Sequence, residues 1–370
     1  MGWTLSKADE YLNHQMPFPH AVVGSSDPNW RERYWVSIHD VAHQRFILSI
    51  GFGKYPNQDV MEGCAMAQVG DKQYNLRASR QLLPQRDEIE VGPMAAAVIE
   101  PLKTLAFTIA PNPSGIEGSF TWHAAMPSML EGRHFEINRA RISHDLVRYV
   151  QLGRISGSLT IAGEAFALDP ETTWGERDHS WGIRPMAPFP GQPPTASVDW
   201  NFLAFCPIQF PDFCVHFYLF EQQYGRPTHM SASIVRKDGT EEDDPIEAVE
   251  HDFDWVRGAP VLTLSGGHIT LRFFSGKRLR IDIKALAPRV YLKGGGYGVD
   301  HGRWKGKSSI EHEVWDLSEQ DKLHGYAVSS ADHLFEAKAD GQTGYGIIEY
   351  MVRRGHERYA PALPPSRKRA

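Results

Sequence analysis

Short runs rich in β-branched and aromatic residues, separated by glycine- and proline-bearing turns, recur along the whole chain and point to an all-β fold. Residues 33–39 (RYWVSIH) are followed by residues 45–52 (RFILSIGF), and residues 64–69 and 72–78 flank Gly70-Asp71, a dipeptide suited to a tight hairpin. Residues 104–109 and 119–124 continue the rhythm, and residues 154–161 face residues 164–168 across Ala162-Gly163. In the second half, residues 200–206, 215–221, 231–235, 261–264, 268–274, 278–286, 325–329 and 346–352 read as strands. Asp238-Gly239 and Gly266-Gly267 mark turns there. Helical periodicity is weak, and only residues 9–15 and 143–150 fit a short helix. Antiparallel barrels or sandwiches accommodate strands of this number and length.

At 370 residues the chain exceeds the size of a typical single domain, so two packed β domains are expected. The division is placed before Asp169-Pro170-Glu171, giving domains of residues 1–168 and 169–370, the second carrying the densest polar segment of the chain. A proline-rich connection (residues 185–194) follows that segment, and residues 241–244 form an acidic loop. The net charge of −6 gives no basic footprint, which argues against a nucleic-acid partner. Three scattered cysteines form neither a disulfide framework nor a CxxC pair; Cys206 and Cys214 sit in apolar runs and read as buried thiols. The first residues lack a secretory signal, and no window approaches eighteen uninterrupted apolar residues. A soluble cytoplasmic protein without stable membrane insertion, able to form a homodimer, is the expectation.

Residues 174–184 (WGERDHSWGIR) place two Trp, two Arg, two acids and one His in eleven positions. As a strand, the segment sends Glu176, Asp178, Ser180 and Gly182 to one face and Arg177, His179, Trp181 and Ile183 to the other. An imidazole exchanges protons near neutral pH, an indole lines an apolar or cationic pocket, and an acid on a neighbouring strand can set the imidazole tautomer. Structural ion pairs, Arg177 with Asp178 and Glu176 with Arg184, are the plain alternative.

Arg177-Asp178-His179-Ser180-Trp181-Gly182 resembles the RDHSWG-type signature of the carotenoid 1,2-hydratase (hydroxyneurosporene synthase) and AttH-like superfamily. Residues 31–35 (RERYW) resemble its EWWY-like opening strand, with a departure at Arg33, and residues 198–202 (VDWNF) resemble its WDWF-like strand. The C-terminal half, with residues 301–304 (HGRW) and 346–350 (GIIEY), looks closer to uncharacterised bacterial relatives than to the carotenoid enzymes. The resemblance implies two lipocalin-like antiparallel β-barrel domains. It also implies that His179 and Trp181 activate a substrate double bond together with a downstream acid, Asp199 or Asp212, of which Asp199 fits the strand better. Asp178 belongs to the signature and is a second candidate to orient the imidazole.

The functional expectation is a cofactor-independent lyase or isomerase, foremost a hydratase or dehydratase, acting on a hydrophobic terpenoid-, steroid- or polyketide-like molecule. Trp174, Trp181 and Trp200 would line the pocket, Arg177 or Arg184 would anchor a substrate oxygen, and Tyr297 and His301 would lie in a loop at its mouth. A carrier of an apolar ligand and a cyclase are the alternatives. His39 and His43 have the i, i+4 spacing of a helical metal pair but sit in strand and turn sequence, so no metal is expected. Residues 293–298 (KGGGYG) lack the spacing of a phosphate loop, and no GxSxG elbow exists.

Overall fold

The computed structural model describes residues 12, 14–84, 87–138, 140–184, 200–240, 242–298, 300–327 and 330–364. Its first thirteen strands are β1 (Trp30–Asp40), β2 (Phe46–Tyr55), β3 (Val60–Val69), β4 (Lys72–Gln81), β5 (Glu90–Val91), β6 (Met94–Glu100), β7 (Thr104–Ile109), β8 (Ile116–Ala124), β9 (Met129–Leu130), β10 (His134–Asn138), β11 (Arg141–Ile161), β12 (Glu164–Leu168) and β13 (Thr173–Ile183). There follow β14 (Phe202–Gln209), β15 (Phe213–Glu221), β16 (Pro227–Arg236), β17 (Ile246–Trp255), β18 (Leu264–Phe273) and β19 (Arg278–Tyr291). Last come β20 (Ser308–Asp316), the helix α1 (Gln320–Tyr326), β21 (Ala331–Ala339) and β22 (Gln342–Val352).

Two antiparallel sheets hold these strands, as the strand rhythm predicts. The first runs β20-β4-β3-β2-β1-β13-β11-β8-β7-β6-β5, with β9, β10 and β12 also paired along the long β11. The second runs β16-β15-β14-β22-β21-β19-β18-β17. Each curls: β5 meets β3 and β4 in the first sheet, and the two edges β16 and β17 of the second come together. The expected hairpin at Ala162-Gly163 is present, both residues taking positive φ (53° and 84°) between β11 and β12.

Alternation puts one face of each sheet on its own core. Val36, Ile38, Leu48, Ile50, Phe107 and Trp122 pack inside the first sheet; Phe202, Phe217, Ile269 and Phe335 do so inside the second. A third apolar cluster, with Trp35 and Ile47 from the first sheet and Leu286, Val290 and Ile347 from the second, fills the space between them. The indole Nε1 of Trp35 donates to Asp332 Oδ2 at 3.2 Å, and the Ser49 hydroxyl donates to the same oxygen at 2.6 Å. The two sheets are therefore joined by polar as well as apolar contacts.

Sheet membership does not follow the 168/169 division. β13, with the RDHSWG segment, is a central strand of the first sheet, and β20 closes an edge of that sheet on β4. Residues 143–150 are strand rather than helix, because β9, β10 and β13 all pair with this part of β11. Gly266-Gly267 is no turn: both lie inside β18, where a Cβ on Gly267 would stand 2.2 Å from Asp252 O. Close approach of strands, not chain reversal, demands that glycine. Residues 320–326 form α1 where a strand over 325–329 was expected, and the expected helix over 9–15 lies largely outside the described residues. Among the described residues no helix is long and apolar enough to cross a membrane.

Candidate functional site

Lying between β1 and β11, β13 shows a different surface on each side of the sheet. Arg177, His179 and Trp181 share a face with Glu32 and Tyr34 of β1 and with Tyr149 and Gln151 of β11, toward the first core. Asp178 and Ser180 share the other face with Trp35, Arg33 and Arg148, toward the second sheet. The sequence-derived facing of the strand is thus the observed one. It separates Asp178 from His179.

On the first face His179 Nε2 lies 2.9 Å from Glu32 Oε1, and its Nδ1 lies 3.3 Å from the Tyr149 hydroxyl. Arg177 donates to that hydroxyl from Nη1 at 3.2 Å and grips Gln151 Oε1 through Nε and Nη2 at 3.0 and 2.6 Å. With the tyrosine oxygen already accepting from Arg177, its own proton can point to His179 Nδ1, which leaves Nε2 as the N–H facing Glu32. Tyr34 and Trp181 meet the imidazole edge-on, with centroids at 4.5 and 5.3 Å. A cavity of about 420 Å³ opens over this group, walled by Trp30, Glu32, His179 and Trp181 and by residues such as Met16, Phe18 and Val22 of the N-terminal segment. That is the size of a small-molecule site.

The second face is filled with buried ion pairs. Glu131 accepts from Arg148 Nε at 2.8 Å and lies 2.6 Å from His216 Nε2. Burial would raise the Glu131 carboxyl, but Arg148 and His216 outweigh it and hold it down at about 2. Burial also pushes the Asp178 carboxyl up, against the pull of Arg148. Further along, Glu62 receives the Tyr55 hydroxyl, the His301 ring and the Gly302 N–H, with Arg33 Nη1 at 4.0 Å. His301 and Arg33 hold Glu62 at about 2 against the raising effect of its own burial, while burial pushes His301 down to about 4. Tyr297 lies under Arg33 at 4.9 Å and edge-on to His301 at 4.3 Å. Only about 20 Å³ of free space adjoins Arg33, Glu62 and His301, room for a single water.

Of the expected site residues, His179, Trp181 and Arg177 come together. Arg177 donates to Gln151 Oε1 and to the Tyr149 hydroxyl that faces His179. Trp174 lies on the other face under Arg154 at 3.5 Å, and Trp200 packs on Phe220 under Arg353 at 4.0 Å. Tyr297 and His301 belong to the Arg33–Glu62 group, not to a loop at the mouth of the His179 cavity. Arg184, just past β13, acts electrostatically on His134, His144 and Asp178. Asp212 is exposed in the turn between β14 and β15, and Asp199 lies outside the described residues. His39 pairs with Glu176 at 3.1 Å on β1, so the helical His39–His43 arrangement does not exist.

A further cluster sits on the β10–β11 hairpin. His134 and His144 stack at 4.4 Å, His229 of β16 stacks on His134 at 4.1 Å, and Glu136 Oε2 lies 3.1 Å from His144 Nδ1. Burial, together with the neighbouring histidines and Arg184, pushes His134 down to about 2; burial with Arg184 and Arg31 pushes His144 down to about 3. Glu32, Tyr149, Gln151 and Glu131 escaped the sequence reading. For Glu32 a signal existed: it alternates with Tyr34 on the strand that resembles the family's opening strand.

Residues 5–360 match the model of a family of unknown function, DUF8625. The chain belongs to DUF8625. No curated protein matches it. Among solved structures, this DUF8625 member is similar to a provisionally named AttH protein of Nitrosomonas europaea, with a TM-score of 0.58 and 11% identity over 92% of this chain and 98% of that one. It is also similar to kievitone hydratase of Nectria haematococca, with a TM-score of 0.48 and 13% identity over 90% of this chain and 93% of that one. The first likeness shows that the DUF8625 chain has the AttH-like fold expected from the RDHSWG resemblance, its two antiparallel sheets forming a half-barrel and a nearly closed barrel.

Proposed function

We propose that the chain is a cofactor-independent lyase or isomerase, foremost a hydratase or dehydratase of an apolar small molecule, with His179 as the proton-transfer group. The observation that carries this reading is the His179–Glu32 contact of 2.9 Å at the wall of a cavity of about 420 Å³. In the hydration direction His179 first takes up a proton, its Nδ1–H then donating to the Tyr149 oxygen, and gives the Nε2 proton to one alkene carbon, while the positive charge that develops on the other faces the indole of Trp181. Water adds to that carbon, and its released proton returns to the His179–Glu32 pair. Dehydration reverses each transfer. Tyr149, held by Arg177, fixes the ring so that Nε2 faces the carboxylate and the cavity.

A screen of apolar alkenes in H₂¹⁸O, and of tertiary alcohols for loss of water, tests the reading. Substrate-dependent ¹⁸O incorporation that disappears in His179→Ala and Glu32→Gln supports it. Saturable ligand binding with no turnover by the wild type would leave the carrier in its place.

A further inference from the structure

The β10–β11 hairpin brings together two imidazoles and a carboxylate that the reaction above does not use. Glu136 pairs directly with His144, and His134 stands two residues before Glu136 on the same face. One donor atom from each of the three lies within 4.8 Å of the others. Glu136 Oε2 is 3.1 Å from His144 Nδ1 and 3.9 Å from His134 Nε2. Donors bound to one tetrahedral ion at about 2.0–2.2 Å stand roughly 3.3–3.5 Å apart, between those two distances. We propose that His134, Glu136 and His144 bind a divalent transition-metal ion.

A second observation points the same way. His144 is buried (8% exposed), yet its Nδ1, the nitrogen nearest Glu136, has no hydrogen-bond partner. His144 Nδ1 is near Glu136 in distance but not in hydrogen-bond geometry. Buried polar nitrogens are satisfied as a rule, and an ion shared with Glu136 would give this one its partner. Two imidazoles and one carboxylate select ions of the Zn²⁺, Co²⁺ and Fe²⁺ class over Mg²⁺ or Ca²⁺, which take oxygen donors. Two features set the cost. The stacked rings lie only 11° from parallel, so one imidazole turns about its soft χ2 torsion to share the ion. The charges of Arg184 and Arg31 reach His144 and oppose a cation, and the metal–imidazole bonds must exceed that repulsion.

The chelator-treated 370-residue chain is titrated with Co²⁺ at pH 7.5, followed by the visible d–d absorption, and then with Zn²⁺ as competitor. The expected result is one equivalent of Co²⁺, displaced by Zn²⁺. His144→Ala abolishes the absorption, and Glu136→Gln, a conservative change at a half-buried position, weakens binding by more than the roughly 10–100-fold that outer-shell changes cost. His312→Ala, at an exposed histidine, leaves the titration unchanged. Absence of stoichiometric binding, or full binding by a Glu136→Gln protein that melts like the wild type, overturns the proposal.

Discussion

The two faces of β13 are built from similar residue types and do opposite things. Toward the first core, His179 and Glu32 stand at a cavity wall, with side chains 18% and 36% exposed. Toward the second sheet, Arg148, Glu131 and His216 are nearly inaccessible (5%, 5% and 1%), and each nearest charge answers another. A charged pair next to open space can exchange its proton with a ligand. One sealed between two sheets is committed to holding them in register. The same alternation that builds a sheet thus separates, within eleven residues, the face proposed for chemistry from the face packed between the sheets.

The largest expected effect falls on the sealed face. Glu131→Ala leaves Arg148 as an uncompensated buried charge, which costs about 3–5 kcal/mol. Urea unfolding of this variant should show that loss, and a midpoint close to that of the wild type would erase the distinction between the faces. On the open face, His179→Ala should lower turnover of an identified substrate by roughly 10²–10⁴-fold with little change in stability. Near-native turnover would move the chemistry elsewhere. A drop in stability as large as that of Glu131→Ala would make His179 a structural residue.

Acid sharpens the comparison. The folded Glu131 titrates near 2 against an ordinary 4.5, so between these values the unfolded chain binds more protons and stability falls as pH falls. The penalty of Glu131→Gln is therefore full above pH 4.5 and shrinks toward pH 2. Asp332 and Glu349, whose carboxyls are raised by burial, titrate in the opposite sense. The wild type minus variant difference isolates Glu131 from them; a difference that stays constant down to pH 3 would contradict the assignment. The smallest effect belongs to Ser180→Ala: with the side chain turned away from His179, turnover should be unchanged and stability should fall by about 0.5–1.5 kcal/mol at most.

Much of the fold was legible because two-residue alternation and turn dipeptides are local signals. The facing of residues 176–183 followed from period alone, and the Gly70-Asp71 and Ala162-Gly163 hairpins from turn chemistry. What failed was non-local. Glu32 meets His179 across 147 residues of sequence through the β1–β13 pairing, which no local pattern announces. Asp178, adjacent in sequence, drew attention as a partner although strand geometry turns it away. Gly266-Gly267 carried a turn signature but serves a close strand crossing, since glycine answers both demands. His134, Glu136 and His144 converge only because a hairpin with a register shift after Glu136 folds them together, a spacing unlike that of any helical metal pair.

One edge of the first sheet is completed late. β20 pairs with β4 along its whole length, and Arg77 of β4 reaches Glu311 and Glu313 across 234 and 236 residues. A nascent chain emerging from the ribosome can assemble β1 to β13 early, but β4 must wait with an unpaired margin until residue 316 has been synthesised. An exposed strand margin is a template for pairing with another chain. In the interval between these two moments of synthesis, the open margin of β4 can join a neighbour instead of its own chain.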